Sequence, residues 1–217
     1  MLLNGVHLLP DLSGALIFPK ERLVAVSDPI GDPAARQAPR LAAEALKRLG
    51  AVLRQRRPAL VAWLGGSLPR LLAEGRLAKR EADELARLAK AHAWHWLATD
   101  LPPDLPGTAG TELKAGGLTF RHAALTGAGV VGEVSAQGWP VAMADGTTWP
   151  CFVLDGRRLV IPAFGGRTDG INVLSAHFQP LFRRPFSALM LAGGRILTRP
   201  RPRLEAPPLP PAPLGLA

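Results

Sequence analysis

The sequence predicts a mixed α/β (α+β) fold, in which alternating strands and helices are followed by a half built from strands alone. Apolar runs alternate with stretches of helical periodicity up to about residue 98. From Gly116 onward the helical periodicity disappears, and short apolar runs separated by turn residues follow. Two sheets packed face to face, with helices outside, would bury both kinds of element.

The first half is predicted to run strand, helix, strand, helix, strand after a hairpin-like start. The predicted elements are strands over 14–18 and 23–26, a helix over 39–57, a strand over 59–64, a helix over 78–93 and a strand over 94–98. Pro39 suits the first turn of its helix, where a missing N–H costs little. Gly65-Gly66 closes the apolar strand before it. The alternation predicts parallel strands joined by right-handed crossovers.

The second half is predicted to contain short strands only. These are expected over 118–122, 129–132, 139–144, 150–154 and 158–162. We therefore expect one domain over 1–198. The segment 199–217 holds seven prolines and is predicted to be an extended, disordered tail. A Pro-rich tail of this kind can serve as a ligand for a protein partner.

Composition limits the classes of function. No run approaches the roughly 18 apolar residues that a membrane span needs, so no membrane association is expected. A single cysteine, Cys151, excludes an internal disulfide and favours a cytoplasmic protein. The formal charge of +9 and the pI near 11.1 favour nucleic acid as a partner. Arginine outnumbers lysine 21 to 5, which also fits a coding bias, so both interpretations stay open.

Two segments carry a resemblance to a known family. Residues 150–173, which begin Pro-Cys-Phe-Val-Leu and contain Ile-Pro-Ala-Phe-Gly-Gly, form the most distinctive stretch. Together with residues 14–28, they resemble the ligase-associated DNA-damage-response (PdeM-like) phosphoesterases of the calcineurin-like metallophosphoesterase superfamily. The resemblance implies a four-layer αββα sandwich. It also implies phosphodiester hydrolysis by two divalent metals that clamp the phosphate and activate water.

The family's ligand motifs are mostly changed in this sequence. They read D-x-H, G-D, G-N-H-D, a lone His and G-H-x-H. Matched in order, they fall at 28–30, at Gly65-Gly66, near 98–101, at His122 and at 132–135. The carboxylate that would bridge two metals is absent at Gly66. The resemblance therefore leaves four candidate metal ligands, which are Asp28, Asp100, His122 and Glu133.

These changes predict a degenerate metallophosphoesterase-like protein that is non-catalytic and has a binding or scaffolding role near DNA. The alternative is an active phosphodiesterase or nuclease with a rewired mononuclear site, holding one Mn²⁺ or similar ion rather than none. A third hypothesis is an interaction module that uses its Pro-rich tail. For single residues, structural roles compete: Asp28 in an Asp-Pro turn, His122 as a hydrogen-bonded histidine, and Cys151 as an inert buried thiol.

Overall fold

The chain is described by a computed structural model over residues 1–127 and 129–206. Its first half contains strands β1 to β8 and three helices. They are β1 (Leu2–Leu3), β2 (Val6–His7), β3 (Leu9–Pro10), β4 (Leu16–Phe18), β5 (Leu23–Ser27), α1 (Ala38–Arg56), β6 (Leu60–Leu64), α2 (Ser67–Ala73), α3 (Lys79–Ala91), β7 (Ala93–Leu97) and β8 (Thr108–Gly110).

The second half contains strands and one short 3₁₀ helix. They are β9 (Glu112–Ala115), β10 (Leu118–Arg121), β11 (Glu133–Ser135), β12 (Val141–Ala144), β13 (Thr147–Leu154), β14 (Arg158–Val160), β15 (Ser187–Ala192), β16 (Arg195–Pro200) and the 3₁₀ helix Arg201–Arg203. No α-helix occurs between residues 129 and 206, as the loss of helical periodicity predicts.

The first sheet has the order β3-β4-β5-β6-β7-β8. The hairpin β4–β5 is antiparallel, and β5, β6, β7 and β8 run parallel. The predicted hairpin, helices and parallel pairing are confirmed. Helix α2 was not predicted, because it directly follows Gly65-Gly66 and its seven residues include Pro69, so too few turns exist to show a period.

The second sheet has the order β16-β15-β13-β14-β11-β10-β9, and β12 pairs with β13. Four of the five predicted strands are present with shifted ends. The predicted strand over 129–132 is wrong. Strand β11 begins at Glu133, one residue after the predicted strand was expected to end, because Gly132 has φ +72° and its backbone is not extended.

Three apolar cores define the layers. The first lies between the helices and the first sheet, and the second lies between the two sheets. The third covers the outer face of the second sheet, where Val173, Phe178, Leu181, Phe182 and Phe186 come from turns. The predicted α+β sandwich is confirmed. Its fourth layer is made of turns where the αββα form would have helices.

Three tryptophans, Trp63, Trp94 and Trp96, fill the first core. Each is at most 2% exposed, and their ring centroids lie 5.1 to 6.4 Å apart. The prediction that these residues are core residues is confirmed. Because Trp63 and Trp94 occupy neighbouring strands, their rings stack on one face of the sheet.

The C-terminal part of the described chain belongs to the second sheet. Strand β16 runs to Pro200, so the predicted domain boundary between 198 and 199 falls inside a strand. Glu205 then bridges to Met143 and receives the N–H groups of Asp145 and Gly146. The remaining residues of the predicted tail, 207–217, lie outside the described residues. No helix within the described ranges is long and apolar enough to cross a membrane.

Candidate functional site

A cleft of about 290 Å³ opens where the parallel strands β5 and β6 end. Asp28 follows β5, Gly65 and Gly66 follow β6, and His122 follows β10. The carboxyl ends of parallel strands are the usual place for a binding site in an α/β sheet, because loops from neighbouring strands meet there. The rest of the wall is formed by Gly31, Ser67, Ala136, Gly138, Trp139 and residues 169–171. The structure thus brings together two of the four predicted ligands, Asp28 and His122.

The carboxylate of Asp28 is held by three donors of the protein itself. Its Oδ1 accepts the N–H of Ile30 at 3.0 Å. Its Oδ2 accepts the indole N–H of Trp63 at 3.1 Å and the backbone N–H of Leu68 at 2.8 Å. The residue is only 4% exposed. A carboxylate offers about four lone-pair positions, so these bonds leave about one of them free.

Asp28 therefore connects three elements. Leu68 lies in the first turn of α2, whose N–H groups have no partner inside the helix, so the Asp28 carboxylate caps that helix from the loop after β5. Burial raises the pKa of Asp28, while the hydrogen bonds from Leu68, Ile30 and Trp63 act in the opposite direction. The side chain joins β5, the tryptophan core and α2.

The glycines after β6 give this carboxylate its room. Gly65 has φ +136°, and a Cβ there would lie inside contact distance of the Asp28 Cβ. Gly66 differs, because its φ of −108° suits any residue and a Cβ there would lie 3.5 Å from the Ala98 Cβ. The position where the resemblance expects a bridging carboxylate could hold a side chain and holds none.

His122 faces the cleft from the end of β10. Burial lowers its pKa below the ordinary value, while the nearby Asp28 carboxylate acts in the opposite direction. Its Nδ1 is buried and has no hydrogen-bond partner among the described residues. Among the described titratable side chains of the cleft wall, only His122 has a buried polar atom without a hydrogen-bond partner.

Trp139 occupies one side of the cleft and was not predicted as a site residue. Its indole N–H donates to the backbone oxygen of Asp28 at 3.0 Å. The ring lies so close to Gly31 that a Cβ there would be 2.8 Å from it. The Arg167 guanidinium stacks on the ring at 4.9 Å from its centroid.

Arg167 also holds the second acid of the cleft, Asp169. Its Nε donates to Asp169 Oδ1 at 2.8 Å, and its Nη2 donates to Oδ2. This pairing lowers the pKa of Asp169, with the Arg167 hydrogen bond as the main cause. A third bond joins Arg167 Nη1 to the Pro29 oxygen at 2.9 Å. The sequence analysis did not predict this group. Gly165-Gly166 indicates a turn, but nothing in the sequence shows that Arg167 and Asp169 meet Trp139.

Asp100 and Glu133 do not line the cleft. Asp100 is exposed, and its Oδ2 accepts a hydrogen bond from Thr99 at 3.3 Å. Glu133 is 2% exposed and lies in β11, where its Oε2 accepts the Leu125 N–H at 3.0 Å and lies 3.3 Å from Arg121 Nε. Glu133 lies away from the cleft because side chains alternate along β11. Val134 faces the core between the sheets, so Glu133 faces the opposite side.

The buried charge of Glu133 belongs to a structural network. Arg158 Nη1 lies 3.8 Å from Glu133 Oε1 and donates to the Leu125 oxygen at 2.6 Å. Arg158 Nη2 donates to the Gly127 oxygen at 2.6 Å. Together the two side chains contact Leu125 and Gly127, which follow His122 in the chain.

The residues matched to the last motif of the resemblance do not line the cleft. The motif was matched to 132–135, but the residues that reach the cleft after β11 are Ala136, Gly138 and Trp139. Residues 132–139 contain no histidine, so neither histidine that the resemblance expects after β11 is present. Gln137 points elsewhere, because its Oε1 accepts the Ala124 N–H at 3.0 Å.

The donor set of the cleft does not fit a two-metal centre. Asp28 and Asp169 are engaged by protein donors, and His122 is the remaining ligand type. Within residues 1–127 and 129–206, no three His, Cys, Asp or Glu side chains are placed to hold a metal ion together. Two divalent cations close together need several anionic oxygens between and around them.

Comparison with solved structures identifies a protein of similar fold. The crystal structure of a Pseudomonas putida nuclease, MPE, matches with a TM-score of 0.67 at 21% identity, over 92% of this chain and 98% of that one. No protein-family profile and no characterised protein sequence matches the chain. At this identity the likeness shows the fold, which this chain shares with a nuclease over nearly its whole length.

Proposed function

We propose that this chain is a non-catalytic protein with a metallophosphoesterase fold that binds nucleic acid. The proposed absence of catalysis rests on the hydrogen bonds of the Asp28 carboxylate. Its position matches the first metal ligand of the family, and its lone pairs accept the N–H groups of Ile30, Trp63 and Leu68. An aspartate used in this way stabilises the fold and has about one acceptor position left for a metal.

The nucleic-acid part of the proposal is supported by the charge of the chain and by the fold. The formal charge is +9, and the fold is shared with a nuclease. A basic protein gains affinity for DNA by releasing the counterions that surround the phosphates. The connection to DNA repair that the sequence resemblance implies belongs to this proposal. A protein partner for the Pro-rich tail stays a prediction, as does the cytoplasmic location.

A second candidate is a phosphodiesterase with a single metal. It is favoured by His122, whose buried Nδ1 has no partner among the described residues and which lines the same cleft as Asp28. In this alternative His122 and the free position on Asp28 would hold one Mn²⁺ or similar ion.

One experiment separates the two candidates. The protein is equilibrated with Mn²⁺ and freed of excess, its metal content is measured by mass spectrometry, and hydrolysis of bis(p-nitrophenyl) phosphate is followed. The Pseudomonas putida nuclease is assayed alongside as a fold-matched reference. The proposal expects substoichiometric metal and hydrolysis no faster than buffer. Stoichiometric Mn²⁺ with hydrolysis that His122→Ala abolishes would establish the single-metal enzyme instead.

A further inference from the structure

A second concave surface lies at the end of the first sheet opposite the cleft. Arg22, Pro58 and His92 come just before β5, β6 and β7, so this surface is at the amino ends of the parallel strands. It forms a hollow of about 510 Å³, called here the basic groove. Its polar lining consists of Arg22, Arg54, Arg57, Arg87 and His92.

The positive charge of the basic groove is largely uncompensated. None of its described lining residues is acidic. Arg22, Arg54 and Arg57 are exposed, and none of them forms a salt bridge with a described residue. Arg87 is paired with Glu84 through bonds of 2.8 and 2.7 Å. Four guanidinium groups thus surround a groove with one carboxylate beside it.

Two of these arginines stand where the backbone disfavours them. Arg22 has φ +50° and Arg57 has φ +47°, in the left-handed region that Gly and Asn adopt most easily. Arg57 ends α1 in this conformation, a position usually taken by glycine. The two turns are adjacent, because the Arg22 oxygen accepts the N–H of Ala59 at 2.7 Å. Folding alone would favour other residues at both positions, which points to a use for the side chains.

The basic groove continues on both sides. A neighbouring hollow of about 350 Å³ shares Arg22 and Arg57 and adds Arg56, which is paired with Asp11. A groove between α1 and α3 shares Arg54 and Arg87, although it also carries several acidic side chains. Three adjoining hollows that share arginines, with the exposed Arg22, Arg54 and Arg57 at the centre, fit a chain of phosphates better than a single small anion.

We propose that the basic groove binds the sugar-phosphate backbone of nucleic acid, and this inference rests on the proposed nucleic-acid binding. Guanidinium groups bind phosphate oxygens in pairs. The described lining of the basic groove contains no Phe, Trp or Tyr, so bases have no ring there to stack on. Binding through the groove is therefore independent of base sequence and steeply dependent on salt.

The test compares two double variants in which the same charge is removed. Arg22→Asn with Arg57→Asn removes two arginines of the basic groove and suits the left-handed backbone. Arg183→Asn with Arg184→Asn removes two exposed arginines from the turns over the second sheet. Affinity for a fluorescein-labelled DNA duplex of mixed sequence, about two helical turns long, is measured by anisotropy over a series of NaCl concentrations between about 50 and 200 mM.

The groove variant is expected to bind about tenfold more weakly at the lowest salt concentration. The negative slope of log K against log salt should become shallower by about 2, because each of the two replaced arginines would otherwise neutralise one phosphate. The control pair should change affinity by less than about threefold, since a remote charge is screened. The melting temperature of the groove variant should equal or exceed that of the wild type, which shows that it folds.

Three results would overturn this inference. Equal weakening by both pairs would place the DNA-binding surface elsewhere while nucleic-acid binding itself stands. Displacement of the duplex by inorganic pyrophosphate at an equal phosphate concentration would identify a small anion as the ligand. Absence of binding by the wild-type protein at the lowest salt concentration would remove the nucleic-acid part of the proposed function as well.

Discussion

Replacing Asp28 should destabilise the fold, because its carboxylate is the shared acceptor of three buried donors. In Asp28→Ala the N–H groups of Ile30, Trp63 and Leu68 lose their acceptor at a side chain that is only 4% exposed. A buried donor left without a partner costs about 1–3 kcal/mol. The loss should therefore be at least about 3 kcal/mol, a large part of the roughly 5–15 kcal/mol that typically stabilises a domain.

Asp28→Asn gives a finer measure of the same effect. The amide oxygen can replace Oδ2 and still accept from Trp63 and Leu68. The amide nitrogen then stands where Oδ1 accepted the Ile30 N–H, so two donors face each other. We expect a loss of about 1–3 kcal/mol, smaller than in Asp28→Ala.

The assay is equilibrium urea denaturation, followed by tryptophan fluorescence because Trp63 is one of the reporting rings. Asp100→Asn is the matched control, since it removes the same charge from an exposed side chain. The control should stay within about 0.5 kcal/mol of the wild type. If Asp28→Asn proved as stable as the wild type while losing stoichiometric Mn²⁺, the carboxylate would be a metal ligand and the structural argument would fail.

Three further predictions concern other buried positions. Gly65→Ala should lower the free energy of unfolding, measured by thermal denaturation, by more than about 2 kcal/mol, because the new Cβ would clash with Asp28 and φ is positive. Gly66→Ala should lower it by less than about 1 kcal/mol, and equal effects of the two variants would contradict this. Burial raises the pKa of Glu133 above its ordinary 4.5, so the stability that its protonation contributes is present below 4.5 and lost as the pH rises through the raised pKa. The free energy of unfolding relative to Glu133→Gln should therefore fall as the pH rises from 4.5 to neutrality in urea titrations, and a constant difference would refute this. Burial also raises the pKa of the Cys151 thiol, so iodoacetamide should modify it only after unfolding, as mass spectrometry can check.

The first half of the fold was predictable because its signals are local. The apolar run that forms β6 and the periodicity that forms α1 each lie within one segment. The turn layer over the second sheet could not be predicted in the same way. Phe178, Phe182 and Phe186 recur every four residues without forming a helix, and only their packing on β13 and β15 explains their burial.

The site was predictable only in part, for a related reason. Asp28 and His122 follow strands, and strand ends converge, so their meeting in one cleft follows from the topology. The pairing of Glu133 with Arg121 and Arg158 depends on which way β11 faces, and one residue of register decides that. Trp139 was missed because its role comes from contacts with Asp28 and Gly31 that are remote in sequence.

The use of Asp28 as a helix cap sets the order of steps for anyone wishing to engineer a metal site into this cleft. Adding a carboxylate at Gly66 is sterically simple, but it would face an aspartate whose Oδ2 is already occupied twice. Freeing that oxygen means removing a donor first, and Trp63→Phe removes the indole N–H while keeping a ring in the tryptophan core. Building a metal site around Asp28 would therefore have to begin in the core beneath the sheet.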